Sequence, residues 1–261
     1  MINLLLSACA AGARSRARNG FTEVDTPLGR VRGTVNARNG VREFKGLRYA
    51  ASTAGKARYS PSTTISTRSE VSSAQVVRRA NASAARSTVV IDATKFAAPC
   101  IQSPAGVVSG APTPDEDCLF LNVYAPPNAK HLPVLFWLHG GGFCSGWSGS
   151  SWFNGSQLAA SGEVVVVTIG YRLGGLGFMV LPGVSNATRK SGGNGGANGI
   201  GDMRTALLWV QANAASYGGD ATRVTVFGES SGGLAACIMT VSPQVSLFYL
   251  PLHFVRILLT I

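Results

Sequence analysis

The residues best placed to do chemistry lie in Arg223-Val224-Thr225-Val226-Phe227-Gly228-Glu229-Ser230-Ser231-Gly232-Gly233-Leu234-Ala235. A β-branched and apolar run leads into Gly-x-Ser-x-Gly, and small residues with helical potential follow. The pattern predicts a buried strand, a sharp turn presenting one serine, and a helix. Ser230 is the candidate nucleophile. A serine in a strained turn needs small neighbours two places away, and Gly228 and Gly232 supply them around Glu229. The helix that follows would aim free amide N–H groups and its positive end at a reacting oxygen. A bare Gly-x-Ser-x-Gly recurs by chance, so its surroundings carry the weight. His139-Gly140-Gly141-Gly142-Phe143 is the second such stretch. Glycines let backbone N–H groups approach a developing negative charge, and losing one such donor costs about 3–4 kcal/mol of barrier stabilisation. The alternative for this stretch is a glycine-rich turn without chemistry.

The elements that must position these residues follow from apolar patterning. Pro133 to Leu138 is a compact buried-strand candidate that runs into the glycine stretch, and Val164 to Ile169 is another, ending at Gly170-Tyr171-Arg172-Leu173. From Asp202, the residues Met203, Ala206, Leu207, Val210 and Ala214 recur at helical steps, with Gly218-Gly219 as the stop. Strand, loop, strand, helix, strand, turn, helix is the rhythm of a doubly wound α/β sheet with its active loops at the carboxyl ends of the strands. Upstream, Thr26 to Gly33 reads as a short hairpin and Phe44 to Ala50 as an extended piece. Residues 60–88, rich in Ser, Thr, Ala and Arg, read as an irregular insertion. Residues 1–23 read as a basic arm, or a clipped signal segment lacking a full apolar run. Residues 244–261 form an apolar tail, interrupted by Pro251, His253 and Arg256 and too short for a membrane span.

A chain of 261 residues can bury one sizeable core. Its net charge of +11 is localised: residues 1–90 hold 15 Lys/Arg against 4 Asp/Glu, and residues 91–261 hold 8 against 8. The motif-bearing part is therefore neutral. Without aromatic interleaving or a nucleic-acid module, the basic third reads as a solvated surface rather than a nucleic-acid site. Of the five cysteines, Cys100 and Cys118 flank a Pro/Gly-rich loop that suits a disulfide, two free thiols being the alternative. Cys237, among small apolar residues, reads as a buried thiol.

The blocks Phe44 to Ala50, Asp92 to Phe96, Glu116-Asp117-Cys118-Leu119-Phe120-Leu121-Asn122-Val123-Tyr124-Ala125-Pro126, His139 to Phe143, Gly170 to Phe178 and Gly228 to Gly233 occur in family order. The chain resembles the type-B carboxylesterases, the cholinesterase-like branch of the α/β-hydrolases, over residues 24–243. The resemblance implies ester hydrolysis through an acyl-enzyme on Ser230. Backbone N–H groups of Gly141, Gly142 and Ser231 would form the oxyanion hole, with His139 shaping its loop. A small-molecule carboxylic ester would be the substrate, with no metal and no cofactor. It also implies a Cys100–Cys118 disulfide and hence an oxidising, secretory compartment. Asn81, Asn154 and Asn186 begin Asn-x-Ser/Thr acceptors compatible with secretion. Residues 101–117 contain no Trp, which disfavours a choline ester.

The chain departs from the family after Ser230. No Asp or Glu follows, and the one His, His253, sits in a tail unlike the family. The triad acid and base of such enzymes lie downstream of the serine, so the expectation is the N-terminal part of a hydrolase domain, with a bare apolar sheet edge and an unactivated nucleophile. The alternative function is a non-catalytic relative that uses the scaffold to bind protein.

Overall fold

The hairpin read from residues 26–33 is present: β1 (Phe21–Thr26) and β2 (Gly29–Val35) pair antiparallel, from Phe21↔Thr34 to Thr26↔Gly29. Val24 and Val31 face each other on the buried side, while Asp25–Arg30 and Glu23–Arg32 pair as ions across the other. Two cations of the basic third are thus neutralised locally, as are Arg48 by Asp117 and Arg58 by Glu116. The computed structural model describes residues 20–65, 70, 76–79, 88–106, 109–180, 182–183, 195–242 and 256–260. The basic arm before residue 20, Asn81, Asn186 and His253 lie outside them.

β3 (Arg42–Arg48) follows, then β4 (Val76–Arg79) and β5 (Thr88–Asp92). The stretch 60–88 is therefore not irregular throughout, because β4 pairs antiparallel with β5 from Val76↔Ile91 to Arg79↔Thr88. Four residues are too few to reveal a strand by alternation; the partner's backbone groups define it. β6 (Phe120–Ala125), β7 (Leu132–Leu138), the short α1 (Ser156–Ala159), β8 (Val165–Ile169) and α2 (Gly174–Phe178) come next. After them come α3 (Asn198–Asn213), β9 (Gly219–Glu229), α4 (Ser231–Val241) and β10 (Arg256–Thr260).

The strands form one mixed sheet in the order β10-β9-β7-β8-β6-β3-β2-β5-β4, with β1 also beside β2. β10, β9, β7 and β8 run parallel, and β8, β6, β3 and β2 alternate in direction. The inward positions of β7 and β9, Val134, Phe136, Leu138, Val224 and Val226, are buried against Met203, Ala206, Leu207 and Val210 of α3 in one core. These are the helical positions that the spacing picked out. α3 starts four residues earlier than Asp202. Gly199 lets its backbone approach Phe178 and the Arg172 carbonyl, where an added Cβ would meet them at 2.4 and 2.8 Å. At the other end a 3-10 turn, Ala214–Tyr217, leads to Gly218 in the left-handed region, φ 89°.

The bare edge expected on β9 is occupied. β10 pairs parallel with it, from Arg256↔Thr225 to Thr260↔Glu229. A short run containing Ile257, Leu258 and Leu259 satisfies the exposed backbone groups of β9, as a parallel strand must. Apolar exposure falls instead on α4, where Leu234, Ile238 and Val241 are 54, 37 and 80% exposed along one stripe. Cys237 shares that side and is half-buried rather than buried. Among the described residues no helix is long and apolar enough to cross a membrane.

Candidate active site

β7 and β9 are neighbours in parallel register, with Leu138 opposite Gly228. That pairing delivers the two glycine motifs to the same end of the sheet. Just past the two strands the chains remain so close that a Cβ added at Gly140 would lie 3.1 Å from the Ser230 Cβ and 2.4 Å from a Glu229 carboxylate oxygen.

Ser230 sits at φ 55°, ψ −125°, one of three non-glycine residues with positive φ among those described. Such a conformation costs on the order of 1–3 kcal/mol and persists only where packing enforces it. The enforcement is visible in the flanking glycines. An added Cβ at Gly228 would meet the Gly232 carbonyl carbon at 2.5 Å and the Leu138 oxygen at 2.6 Å, and one at Gly232 would meet the Leu138 oxygen at 2.1 Å. Ser230 is exposed, and Ser231 is the first residue of α4, where an amide has no intrahelical acceptor.

The facing loop turns through Gly141 (φ 109°), Gly142 (φ 62°) and Phe143 (φ 58°). It closes on the Gly141 carbonyl, which accepts from the amides of Cys144 at 3.0 Å and Ser145 at 3.1 Å. The Gly141 and Gly142 amides donate to no protein acceptor among the described residues. The Phe143 N–H donates to the Ser231 hydroxyl at 3.2 Å, so elbow and loop are joined directly. Sequence reading gave Ser231 a backbone role alone; the hydroxyl contact depends on two segments 88 residues apart.

His139 anchors the base of the loop. Its ring is buried and stacks on Tyr171 with centroids 4.3 Å apart, its Nδ1 lies 2.9 Å from the Gly140 oxygen, and its carbonyl accepts from the Tyr171 hydroxyl at 2.6 Å. Burial raises the Tyr171 hydroxyl well above the usual tyrosine range, partly offset by a hydrogen bond with Ser231. Tyr171 thus ties His139 to the segment just past β8, a role visible in the sequence only as its place after that apolar run. Asn122, a lone amide in an apolar strand, accepts from Gly46 N at 2.9 Å and donates to Thr168 Oγ1 at 3.0 Å and to the Ser148 carbonyl at 3.2 Å. It pins the far end of the glycine loop to β6 and β8.

Burial pushes the His139 ring down to about 4, against the upward pull of its hydrogen bond with Gly140. The ring is neutral when folded, while in the unfolded chain it protonates near 6.5. Its contribution to stability is therefore complete above about pH 6.5 and is lost as pH falls toward about 4, a loss of about 3 kcal/mol. Urea unfolding at neutral and acid pH measures this. His139→Gln is expected to flatten the slope between those limits, and an unchanged slope would refute it.

Cys100 and Cys118 form a disulfide, S–S 2.04 Å, and both are buried. Cys144, in the glycine loop, is a free, exposed thiol. Asn154 is exposed, but the serine of its acceptor triplet, Ser156, is buried and bonded to Asn36 and Asn39. His131 lies at the amino end of β7, away from Ser230, so neither described histidine stands free beside the serine.

A mixed sheet with a serine elbow at the carboxyl end of a parallel strand, followed directly by a helix, defines the chain as an α/β-hydrolase. More narrowly, it belongs to the carboxylesterase family, whose model matches residues 21–249. It is 36% identical over 225 residues to the para-nitrobenzyl esterase of Bacillus subtilis (strain 168), covering 84% of this chain and 40% of that protein. It is likewise 36% identical over 236 residues to the pyrethroid hydrolase Ces2e of Rattus norvegicus, covering 84% and 36%. The crystal structure of the Geobacillus stearothermophilus carboxylesterase EST55 at pH 6.2 superposes with a TM-score of 0.71 at 34% identity, covering 91% of this chain and 42% of that one. The chain thus spans about two fifths of the length of these relatives.

Proposed function

We propose that the chain carries the nucleophile and oxyanion site of a carboxylic ester hydrolase. The observation that carries this is the approach of the glycine loop to Ser230, in which Gly140 has no room for a side chain. In the proposed reaction Ser230 Oγ attacks the ester carbonyl carbon as its proton passes to a base. The Gly141, Gly142 and Ser231 amides receive the oxyanion. Collapse of the tetrahedral adduct expels the alcohol and leaves an acyl-enzyme, which water cleaves to the acid. His139, buried, stacked and bonded through Nδ1, supports the loop and does not act as the base. Removing triad members leaves only the modest catalysis of the oxyanion hole and binding, so slow acylation by this chain alone is consistent with the proposal. The Cys100–Cys118 bridge supports an oxidising compartment as its place of work.

An alkyl fluorophosphonate probe tests the proposal. The expected result is a single adduct on the peptide containing Ser230, absent from Ser230→Ala. A soluble, folded and unreactive chain would instead favour the non-catalytic binding role, to which the exposed apolar stripe of α4 is suited.

A further inference from the structure

We propose that Gln102 is a positioning residue for the oxyanion loop, an assignment that rests on Ser230 being an esterase nucleophile. Gln102 lies two residues past Cys100, in the loop that the disulfide closes. Its side-chain amide faces the Gly146 peptide group with both donor and acceptor matched. Nε2–H donates to the Gly146 oxygen at 2.9 Å, and Gly146 N–H donates to Oε1 at 2.9 Å. Nε2 also donates to the Cys100 carbonyl at 3.1 Å, which fixes the side chain to the bridge itself. An amide paired this way with a peptide holds it in position and orientation, as a strand neighbour would.

Gly146 has no slack. Its φ is 128°, and an added Cβ would meet His139 Nδ1 at 2.2 Å and the Gly140 oxygen at 2.9 Å. One residue back, the Ser145 carbonyl presses on Gly141, where an added Cβ would meet it at 2.2 Å. The Ser145 hydroxyl donates to the Gly141 oxygen at 3.2 Å. Holding Gly146 therefore holds His139 and Gly140, and through Ser145 it holds Gly141. The Trp147 indole, donating to the Ala97 carbonyl at 3.0 Å, braces the same seam one residue further on. The disulfide loop thus sets the distance between the donors and the reacting carbonyl. Misplacing a catalytic group by about 1 Å can cost on the order of a hundredfold in rate.

The test compares the full chain with Gln102→Ala. The readouts are the acylation rate constant and half-saturating concentration for p-nitrophenyl acetate, and amide hydrogen exchange across residues 140–146. The variant is expected to acylate roughly ten- to hundredfold more slowly with half-saturation unchanged, and its loop amides to exchange faster while the disulfide stays intact. An equal rate constant, or a loss confined to half-saturation, would overturn the assignment. If the parent chain does not acylate at all, the ester-hydrolase function fails on its own account. Exchange then decides the clamp: protection unchanged in the variant overturns it, and lost protection upholds it. Gln102→Glu, which keeps the volume and the acceptor but removes the donor, gives the same comparison if the alanine variant does not fold.

Discussion

Gly232→Ala is expected to abolish Ser230 labelling, by roughly a hundredfold or more, and to destabilise the fold by about 3 kcal/mol. The new methyl would sit 2.1 Å from the Leu138 oxygen and 2.8 Å from the His139 oxygen. Both are backbone atoms, at and just past the end of β7, which is held between β8 and β9. A flexible side chain could swing aside, but a paired central strand cannot. The start of α4 must move instead, taking Ser230 out of its strained turn and Ser231 away from the Phe143 amide. Gly183→Ala, with no atom within 4 Å of the added carbon, should change neither property by more than about 0.5 kcal/mol. Probe kinetics and urea midpoints read both effects together. Labelling of Gly232→Ala at the parental rate would mean that the elbow is not held as described.

The second large effect belongs to the buried ion pair behind the site. Asp202→Ala should destabilise the chain by about 3–5 kcal/mol, a large share of an ordinary domain's stability. Asp202 accepts from Arg172 Nε at 2.8 Å, from Nη2 at 2.7 Å and from the Arg172 amide at 3.1 Å. The same guanidinium donates through Nη1 to the carbonyls of Ser60 at 2.8 Å and Arg58 at 3.1 Å. Burial opposes the charge on Arg172, yet the charge and hydrogen bonds of Asp202 hold its pKa above the ordinary arginine value. Without Asp202 a guanidinium only 2% exposed is left without its counter-charge. The double replacement Arg172→Met with Asp202→Leu should recover much of the loss, because no charge then remains buried. Urea unfolding of the three variants checks this; a double variant no better than Asp202→Ala would contradict it.

Much of the architecture was legible because burial leaves a local periodicity. Val24 opposite Val31, the runs that became β7 and β8, and the positions of α3 from Met203 to Val210 are all marked by apolar spacing. Ser230 and its two flanking glycines were legible for a related reason: a positive-φ serine between strand and helix demands those residue types within five positions. Polar residues in loops carry no such mark. Nothing in the local pattern singles out Gln102, and Arg172 and Asp202 lie 30 residues apart. β4 and β10 were missed because their only signal is a partner strand elsewhere in the chain.

The sequence by itself determined the strand–turn–helix around Ser230, the glycine-rich loop and the family, since each depends on residues close together along the chain. Tertiary structure alone decided that Leu138 lies opposite Gly228, bringing that loop against the serine, and that Tyr171, the Ser231 hydroxyl and a buried ion pair hold the arrangement. Contacts between distant segments arise from how the whole chain packs, and the residues that make them can be as ordinary, in their own neighbourhoods, as any solvated side chain.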